Sequence, residues 1–178
     1  MTAELDVLGI VRRLRREPAC VGQAIAPPLG REAIMAMIPH RPPFLLLDEL
    51  VRFDRARPSI TARRLVAHDD PILAGHFPGA PIYPGALQIE AIAQAGTCLL
   101  AQRGLVGPGL QTVTSIPKVV GTRVHHAVFL HSVLPGDTMD IAVQLVADDG
   151  LLSVIAGQIW VSGRLCAISI LEAYVDAG

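Results

Sequence analysis

A single carboxyl group interrupts the most apolar stretch of the sequence. Residues Ala86 to Arg103 predict a helix that is apolar on nearly every face as far as Ala101, and Glu90 is the one charged residue in that part. A carboxylate buried without a partner costs several kcal/mol, so Glu90 is expected to be paired or protonated. A protonated carboxyl can donate its proton, which makes Glu90 a candidate general acid. The alternative is a glutamate that points into solvent at one helix end.

The other residues that could bind a metal do not form a recognisable set. His125, His126 and His131 fall in a predicted strand, and His126 and His131 face opposite sides because they are five residues apart. A metal site there would need a bulge or a carboxylate from elsewhere, so we expect these histidines on the sheet surface or at an oligomer contact. The three cysteines lack metal-site spacing and are expected to be reduced and mostly buried. We expect no metal.

The elements that hold Glu90 are one long helix and a series of strands. The loop from Gly75 to Gly85 is expected to be rigid, since six of its eleven residues are glycine or proline, and it leads into the helix. One apolar helix with small residues, followed by an antiparallel meander, predicts an α+β fold with a sheet wrapped around a central helix. The predicted strands are Phe44 to Phe53, Ser59 to Ala67, Val113 to Val120, Thr122 to Leu134, Thr138 to Ala147, Leu151 to Val161 and Leu165 to Val175.

A short preamble precedes this body. Residues 4–17 predict an amphipathic helix with apolar residues at helical spacing and arginines on much of the other face. Residues 18–30 contain three prolines and two glycines and predict a linker or irregular arm. A short helix is expected from Arg31 to Ile38, where Pro39 stops it. The chain is thus divided into an N-terminal helix and linker, 1–30, and one domain, 31–178.

Composition excludes several classes of protein. The chain has 178 residues, of which 51% are hydrophobic and 17% charged, so it can bury enough apolar surface to fold. A net charge of −1 excludes a globally basic nucleic-acid binder. The longest relevant uncharged stretch, 150–163, is too short for a membrane helix, and the acidic N-terminus is unlike a signal peptide. We therefore expect a cytoplasmic protein that binds neither nucleic acid nor membrane.

Two long segments resemble the motifs of a known enzyme family. The first runs from Ile38 to Asp48 with the sequence IPHRPPFLLLD, and the second runs from Gly75 to Gln94, beginning GHFPG and ending PGALQIEAIAQ. A shorter segment, VLPGD at Val133 to Asp137, is similar to a later strand–turn signature. These motifs resemble the 3-hydroxyacyl-[acyl carrier protein] dehydratases of the FabZ/FabA type. The resemblance extends from about Arg31 to Tyr174.

The resemblance implies a fold, an assembly and a shared active site. It implies the hotdog fold, in which a curved antiparallel sheet wraps a long central helix, in agreement with the pattern of the helix. It also implies a homodimer whose sheets join edge to edge, which in this family often assembles into a trimer of dimers. The active sites would lie at the dimer interface, with His40 from one subunit and Glu90 from the other. His76 is expected to be structural.

The implied reaction explains the choice of residues. Dehydration of a (3R)-3-hydroxyacyl thioester to the trans-2-enoyl thioester removes a proton from C2 and hydroxide from C3. His40 would be the base, and Glu90 would protonate the leaving hydroxyl. The backbone N–H groups of Gly85 and Ala86, at the start of the helix, would hold the enolate-like thioester oxygen. Gln94, one turn after Glu90, would orient its carboxyl or contact substrate, unless it is only a polar residue satisfied at an interface. No cofactor is implied.

The substrate would be carried by an acyl carrier protein through a phosphopantetheine arm, in fatty-acid or polyketide and polyene biosynthesis. Such carriers are acidic, and five arginines between positions 52 and 64 would form a basic rim that steers them, unless this hairpin is merely solvated. Two alternatives stay open. One is an acyl-thioesterase with the same fold, and the other is a non-catalytic acyl-binding or assembly subunit.

Overall fold

The computed structural model describes residues 5–103, 105, 107 and 109–176. Within them four helices and seven strands form: α1 Val7–Leu14, β1 Gln23–Gly30, α2 Arg31–Met37, β2 Glu49–Asp54, β3 Ser59–Leu65, α3 Pro71–Gly75, α4 Gly85–Ala101, β4 Lys118–Phe129, β5 Thr138–Asp148, β6 Leu152–Val161 and β7 Arg164–Asp176. The strands make one antiparallel sheet in the order β1-β2-β3-β5-β6-β7-β4. The prediction of an α+β fold with a central helix is confirmed.

Helix α4 lies against one face of the sheet and forms the main core with it. Ala91, Ile92, Ala95 and Cys98 are fully buried there. A methyl group on Gly157 of β6 would lie only 2.4 Å from the Ile92 side chain, so a glycine is needed for this close approach. Burial raises the pKa of the Cys98 thiol to about 12, which makes it inert as a nucleophile. No helix in the described ranges has both the length and the apolar character to cross a membrane.

The opposite face of the sheet is covered by the N-terminal segment. Val11 and Leu14 of α1 pack on Ala142, Ile168 and Ile170 of the strands. Asp6 caps α1 by accepting a hydrogen bond from the Gly9 N–H, at 2.8 Å. The amphipathic helix predicted over 4–17 is therefore present as the shorter α1, and its apolar side is buried against the sheet.

Three elements differ from the sequence-based expectation. Residues 23–30 are not a linker but the edge strand β1, because prolines 27 and 28 fall at an irregularity in its pairing with β2, where no ladder donors are needed. The strands predicted on either side of Gly121 are one strand, β4, in which the glycine lies at a register shift. The strand predicted from Phe44 begins only at Glu49.

Strand β4 is the second edge of the sheet. It is twelve residues long and pairs only with β7 among the described strands. Its Val120, Val124 and Phe129 are each about half exposed. A long edge with exposed apolar side chains is a surface that pairs readily with another strand.

Candidate active site

The start of α4 supplies backbone donors. Pro84 is the N-cap, and it makes no side-chain capping bond. The N–H groups of Gly85 and Ala86, the first residues of the helix, have no intrahelical acceptor, and the helix dipole adds positive potential there. These residues line a cavity of about 480 Å³ together with His76, Gln88 and Phe129. The two residues that carry the predicted donors therefore line a cavity.

His76 lies beside these donors and has a fixed tautomer. It follows α3, and its Nδ1 is 2.9 Å from the carbonyl oxygen of Ile82. A carbonyl can only accept, so Nδ1 carries the hydrogen and Nε2 keeps a lone pair. The Ile82 N–H donates back to the His76 carbonyl at 2.9 Å, and the Tyr83 N–H donates to Val133 O at 2.8 Å. These bonds hold the loop, and with it the imidazole, next to the helix start.

Phe129, the last residue of β4, covers the same helix start. A methyl group built on Gly85 would lie 2.7 Å from the tip of the Phe129 ring. Gly85 has no positive φ, so a side chain is excluded there by this contact and not by the backbone conformation. The glycine thus allows the Phe129 ring to pack against the start of α4 while both line the same cavity.

Glu90 lines a second cavity, of about 390 Å³, on another side of α4. Its Oε1 accepts a hydrogen bond from Gln94 Nε2 at 2.9 Å and lies 3.5 Å from His40 Nε2. The Glu90 side chain is 28% exposed and that of His40 is 25% exposed. Val119, Gly121 and Val124, from the first seven residues of β4, also line this cavity. The carboxyl is therefore partly open to the cavity.

Gln94 positions the carboxyl and has no donor left for a substrate. It is fully buried, and its Oε1 accepts from the Leu46 N–H at 2.8 Å. Its Nε2 donates to Phe44 O at 2.8 Å as well as to Glu90. A primary amide has two donor hydrogens, and both are used. The predicted bond to Glu90 is present, whereas a direct substrate contact by Gln94 is not supported.

The structure brings His40 and Glu90 together within one chain, whereas the sequence analysis expected them to come from two different subunits. The hydrogen bonds of Gln94 to Phe44 and Leu46 hold the segment after His40 against α4 of the same chain. This brings the His40 side chain close to Glu90. In one chain His76 and Glu90 line different cavities. His76 was expected to be structural, and its position in the cavity at the start of α4 makes it a second candidate base. Its place in the rigid loop just before the helix start was a usable signal for this.

The five arginines of the basic rim predicted on the β2–β3 hairpin all make contacts within the chain. Arg64 forms a buried ion pair with Asp70 at 2.9 Å, and Arg63 pairs with Asp140 at 2.7 Å. The remaining three contact Asp54 or backbone carbonyls: Arg57 lies 3.9 Å from Asp54, Arg52 donates to Gly22 O, and Arg55 donates to Leu105 O and Gly109 O. These side chains stabilise the hairpin and the end of α4.

The remaining histidines take separate positions. His125 Nε2 is 3.4 Å from Glu172 Oε2, and His131 Nδ1 is 2.8 Å from Leu165 O. Across the part of the chain that the structure describes, no three His, Cys, Asp or Glu side chains converge as a metal site would require.

Comparison with known proteins identifies the family of this chain. A family model described as a FabA-like domain matches residues 38–169. The chain is 34% identical over 142 residues to the 3-hydroxyacyl-[acyl-carrier-protein] dehydratase FabZ of Campylobacter curvus, covering 80% of this chain and 94% of that protein. It is 38% identical over 145 residues to the FabZ of Symbiobacterium thermophilum, covering 80% and 95%.

Solved structures show the same fold at lower identity. The dehydratase heterocomplex ApeI:P from Xenorhabdus doucetiae matches with a TM-score of 0.61 at 18% identity, covering 80% of this chain and 90% of that one. The PaaI protein of E. coli matches with a TM-score of 0.54 at 15% identity, covering 72% and 79%. These likenesses concern the fold alone, and they confirm the hotdog fold.

Proposed function

Because this chain belongs to the FabA-like family and is a 3-hydroxyacyl-[acyl carrier protein] dehydratase, a hydro-lyase of fatty-acid biosynthesis, we propose how its residues divide the reaction. In a homodimer, His76 of one protomer removes the C2 proton and Glu90 of the partner subunit protonates the departing C3 hydroxyl. The substrate is the (3R)-3-hydroxyacyl thioester and the product the trans-2-enoyl thioester. Gly85 and Ala86 hold the thioester oxygen.

The observation that carries this assignment is the shared cavity of His76 and the start of α4. The Gly85 and Ala86 N–H groups hold the thioester oxygen, which is on C1. The base removes a proton from C2, the next carbon, so the base must lie close to these N–H groups. His76 meets this requirement with a free Nε2. His40 lines the Glu90 cavity instead, and we assign it to orienting that carboxyl.

The acid must come from a second copy of the chain. Glu90 follows Gly85 by five residues, which displaces it about 7.5 Å along the helix and roughly 140° around it. Its carboxyl therefore opens on a different side of α4 from the donors. One chain offers the base and the oxyanion donors in one cavity and the acid in another.

The free edge of β4 supports a dimer that joins these cavities. The first half of β4 lines the Glu90 cavity, and its last residue, Phe129, lines the His76 cavity. If β4 pairs with its own copy in antiparallel fashion about its midpoint, Phe129 of each chain lies opposite Lys118 of the other and next to Val119. The His76 cavity of one protomer then adjoins the Glu90 cavity of its partner.

The proton balance of the reaction follows from these positions. His76 Nε2 accepts the C2 proton, and the C–H electron pair forms the enolate, whose oxygen is stabilised by the donors of α4. The enolate electrons then form the C2–C3 double bond as the C3–O bond breaks. The partner's Glu90 gives its proton to the leaving oxygen, so water departs. Loss of the His76 proton to solvent and reprotonation of Glu90 complete the cycle.

A direct assay tests this function. The protein is incubated with a 3-hydroxyacyl thioester, and conjugated enoyl absorbance and free thiol are followed together. Enoyl absorbance without thiol is expected. Release of thiol would indicate the thioesterase alternative, and neither signal would indicate an acyl-binding subunit.

Replacing Gly85 by alanine is expected to lower kcat by about 10²-fold, the low end of the cost of losing one oxyanion donor. The methyl group would force the Phe129 ring aside and obstruct the N–H groups. Steady-state turnover and Tm of Gly85→Ala are compared with those of Gly30→Ala, whose added methyl meets nothing within 4 Å. Gly85→Ala with near-normal turnover would show that the thioester oxygen binds elsewhere.

A further inference from the structure

Helix α1 and the residues just after it expose an arginine-rich face. Arg12, Arg13, Arg15 and Arg16 are all exposed, whereas the neighbouring Val11 and Leu14 are buried. Among the residues that the structure describes, none of the four forms an ion pair, and Arg13 donates only to Gln144 Oε1, at 3.2 Å. We call these four side chains the α1 arginine face.

This face is a concentration of positive charge in a protein with a net charge of −1. Arg57, Arg63 and Arg64 of the hairpin contrast with it, because carboxylates within the chain pair with them. Glu17 is the exposed carboxylate adjacent in sequence and offsets one charge. The unpaired guanidinium groups leave a positive surface that attracts an anionic partner.

The α1 arginine face is held rigidly, unlike a mobile tail. The buried Gln158 of β6 accepts a hydrogen bond from the Ala19 N–H at 2.6 Å and donates to Glu17 O at 2.9 Å and to Leu14 O. These bonds join the carboxyl end of α1 and the chain after it to the sheet. A partner that binds there is positioned relative to the whole domain.

The sheet relates this face to the active site. Ala142, Gln158, Ile168 and Val128 form one row across β5, β6, β7 and β4. The end of α1 lies on this row through Gln158, and the row ends beside Phe129, which covers the start of α4. From Gln158 on β6 to Val128 on β4 there are two strand spacings, which amount to roughly 10 Å. An extended phosphopantetheine arm is longer than this distance.

We propose that the α1 arginine face is the docking surface for the acidic acyl carrier protein that presents the substrate. The inference rests on the proposed function. Complementary charge brings the carrier to α1, and the arm then passes around the end of β4 to the cavity of His76. Because α1 precedes the part matched by the family model, this docking surface is a feature of the N-terminal segment of this chain.

The test exchanges all four arginines for glutamine and, in a second variant, for lysine. Gln, Lys and Arg have similar helix propensities, so both variants are expected to keep the Tm of the parent. KM is measured for a 3-hydroxyacyl group on the carrier and on N-acetylcysteamine, which has no carrier and no phosphate. Carrier affinity is also measured by fluorescence anisotropy, which needs no turnover.

The glutamine variant is expected to raise KM and Kd for the carrier about tenfold, with kcat and the N-acetylcysteamine reaction unchanged. The lysine variant should stay close to the parent, and added salt should bring the parent toward the glutamine variant. Unchanged carrier affinity in the glutamine variant would overturn the docking surface, as would an equal change for both substrates. Intact carrier binding without enoyl product would instead contradict the proposed function.

Discussion

Mixing a His76→Ala chain with a Glu90→Gln chain is expected to restore activity that neither chain has alone. Each variant by itself should lose about 10³-fold in kcat, within the range for a positioned acid or base. In a heterodimer one of the two sites combines the intact His76 with the intact Glu90. Random exchange of subunits makes half of the dimers mixed, so recovery of about a quarter of the parent activity is expected.

The controls separate this arrangement from a site contained in one chain. Subunit exchange is verified with two differently labelled chains before turnover is measured. If exchange is complete and the mixture stays inactive, His76 and Glu90 do not share a site across the interface. If His76→Ala alone turns over normally, the base is instead His40, which lies 3.5 Å from Glu90 of the same chain.

Glu90→Gln is expected to lower kcat about 10³-fold while substrate affinity and Tm stay close to those of the parent. Glutamine keeps the size of the side chain and can still accept the hydrogen bond from Gln94, but it cannot protonate a leaving hydroxyl. The measurement is kcat and KM for the thioester together with a thermal melt.

Glu32→Gln provides the matched control, because Glu32 is an exposed carboxylate on α2 that lines neither the Glu90 cavity nor the His76 cavity. It should retain the parent kcat. His40→Gln tests the orienting role and should cost less than Glu90→Gln. A Glu90→Gln enzyme with parent turnover would remove Glu90 from the chemistry.

Local patterns predicted those parts of the structure that local forces determine. The run after Ala86 became α4, and the turn residues before Thr138 and around Gly150 and Gly163 separate the strands as expected. The edge strand β1 was missed because its prolines argue against a strand unless its place at the sheet edge is known. The apolar pattern of α4 thus predicted its structure correctly, whereas the prolines and glycines of residues 18–30 did not predict β1.

In the site, too, local patterns identified single residues but not the contacts that depend on the tertiary fold. Glu90 stands out as a lone charge, and Gln94 one turn later does bond to it. The pairing of His40 with Glu90 depends on how the segment from Phe44 to Leu46 folds over the helix, which residue types alone do not reveal. His76 acquires its fixed tautomer only from a carbonyl six residues later.

The way Gln94 is anchored has a consequence for how such a protein diverges. Gln94 bonds to the main-chain N–H of Leu46 and the main-chain carbonyl of Phe44, atoms that every residue other than proline supplies. The half-exposed Phe44 ring stacks on that of His40, which lines the Glu90 cavity, so substitutions at position 44 can reshape the surroundings of His40 without moving the carboxyl. Acid placement and pocket shape are encoded separately, so a lineage can change the acyl groups it accepts while its dehydration chemistry is conserved.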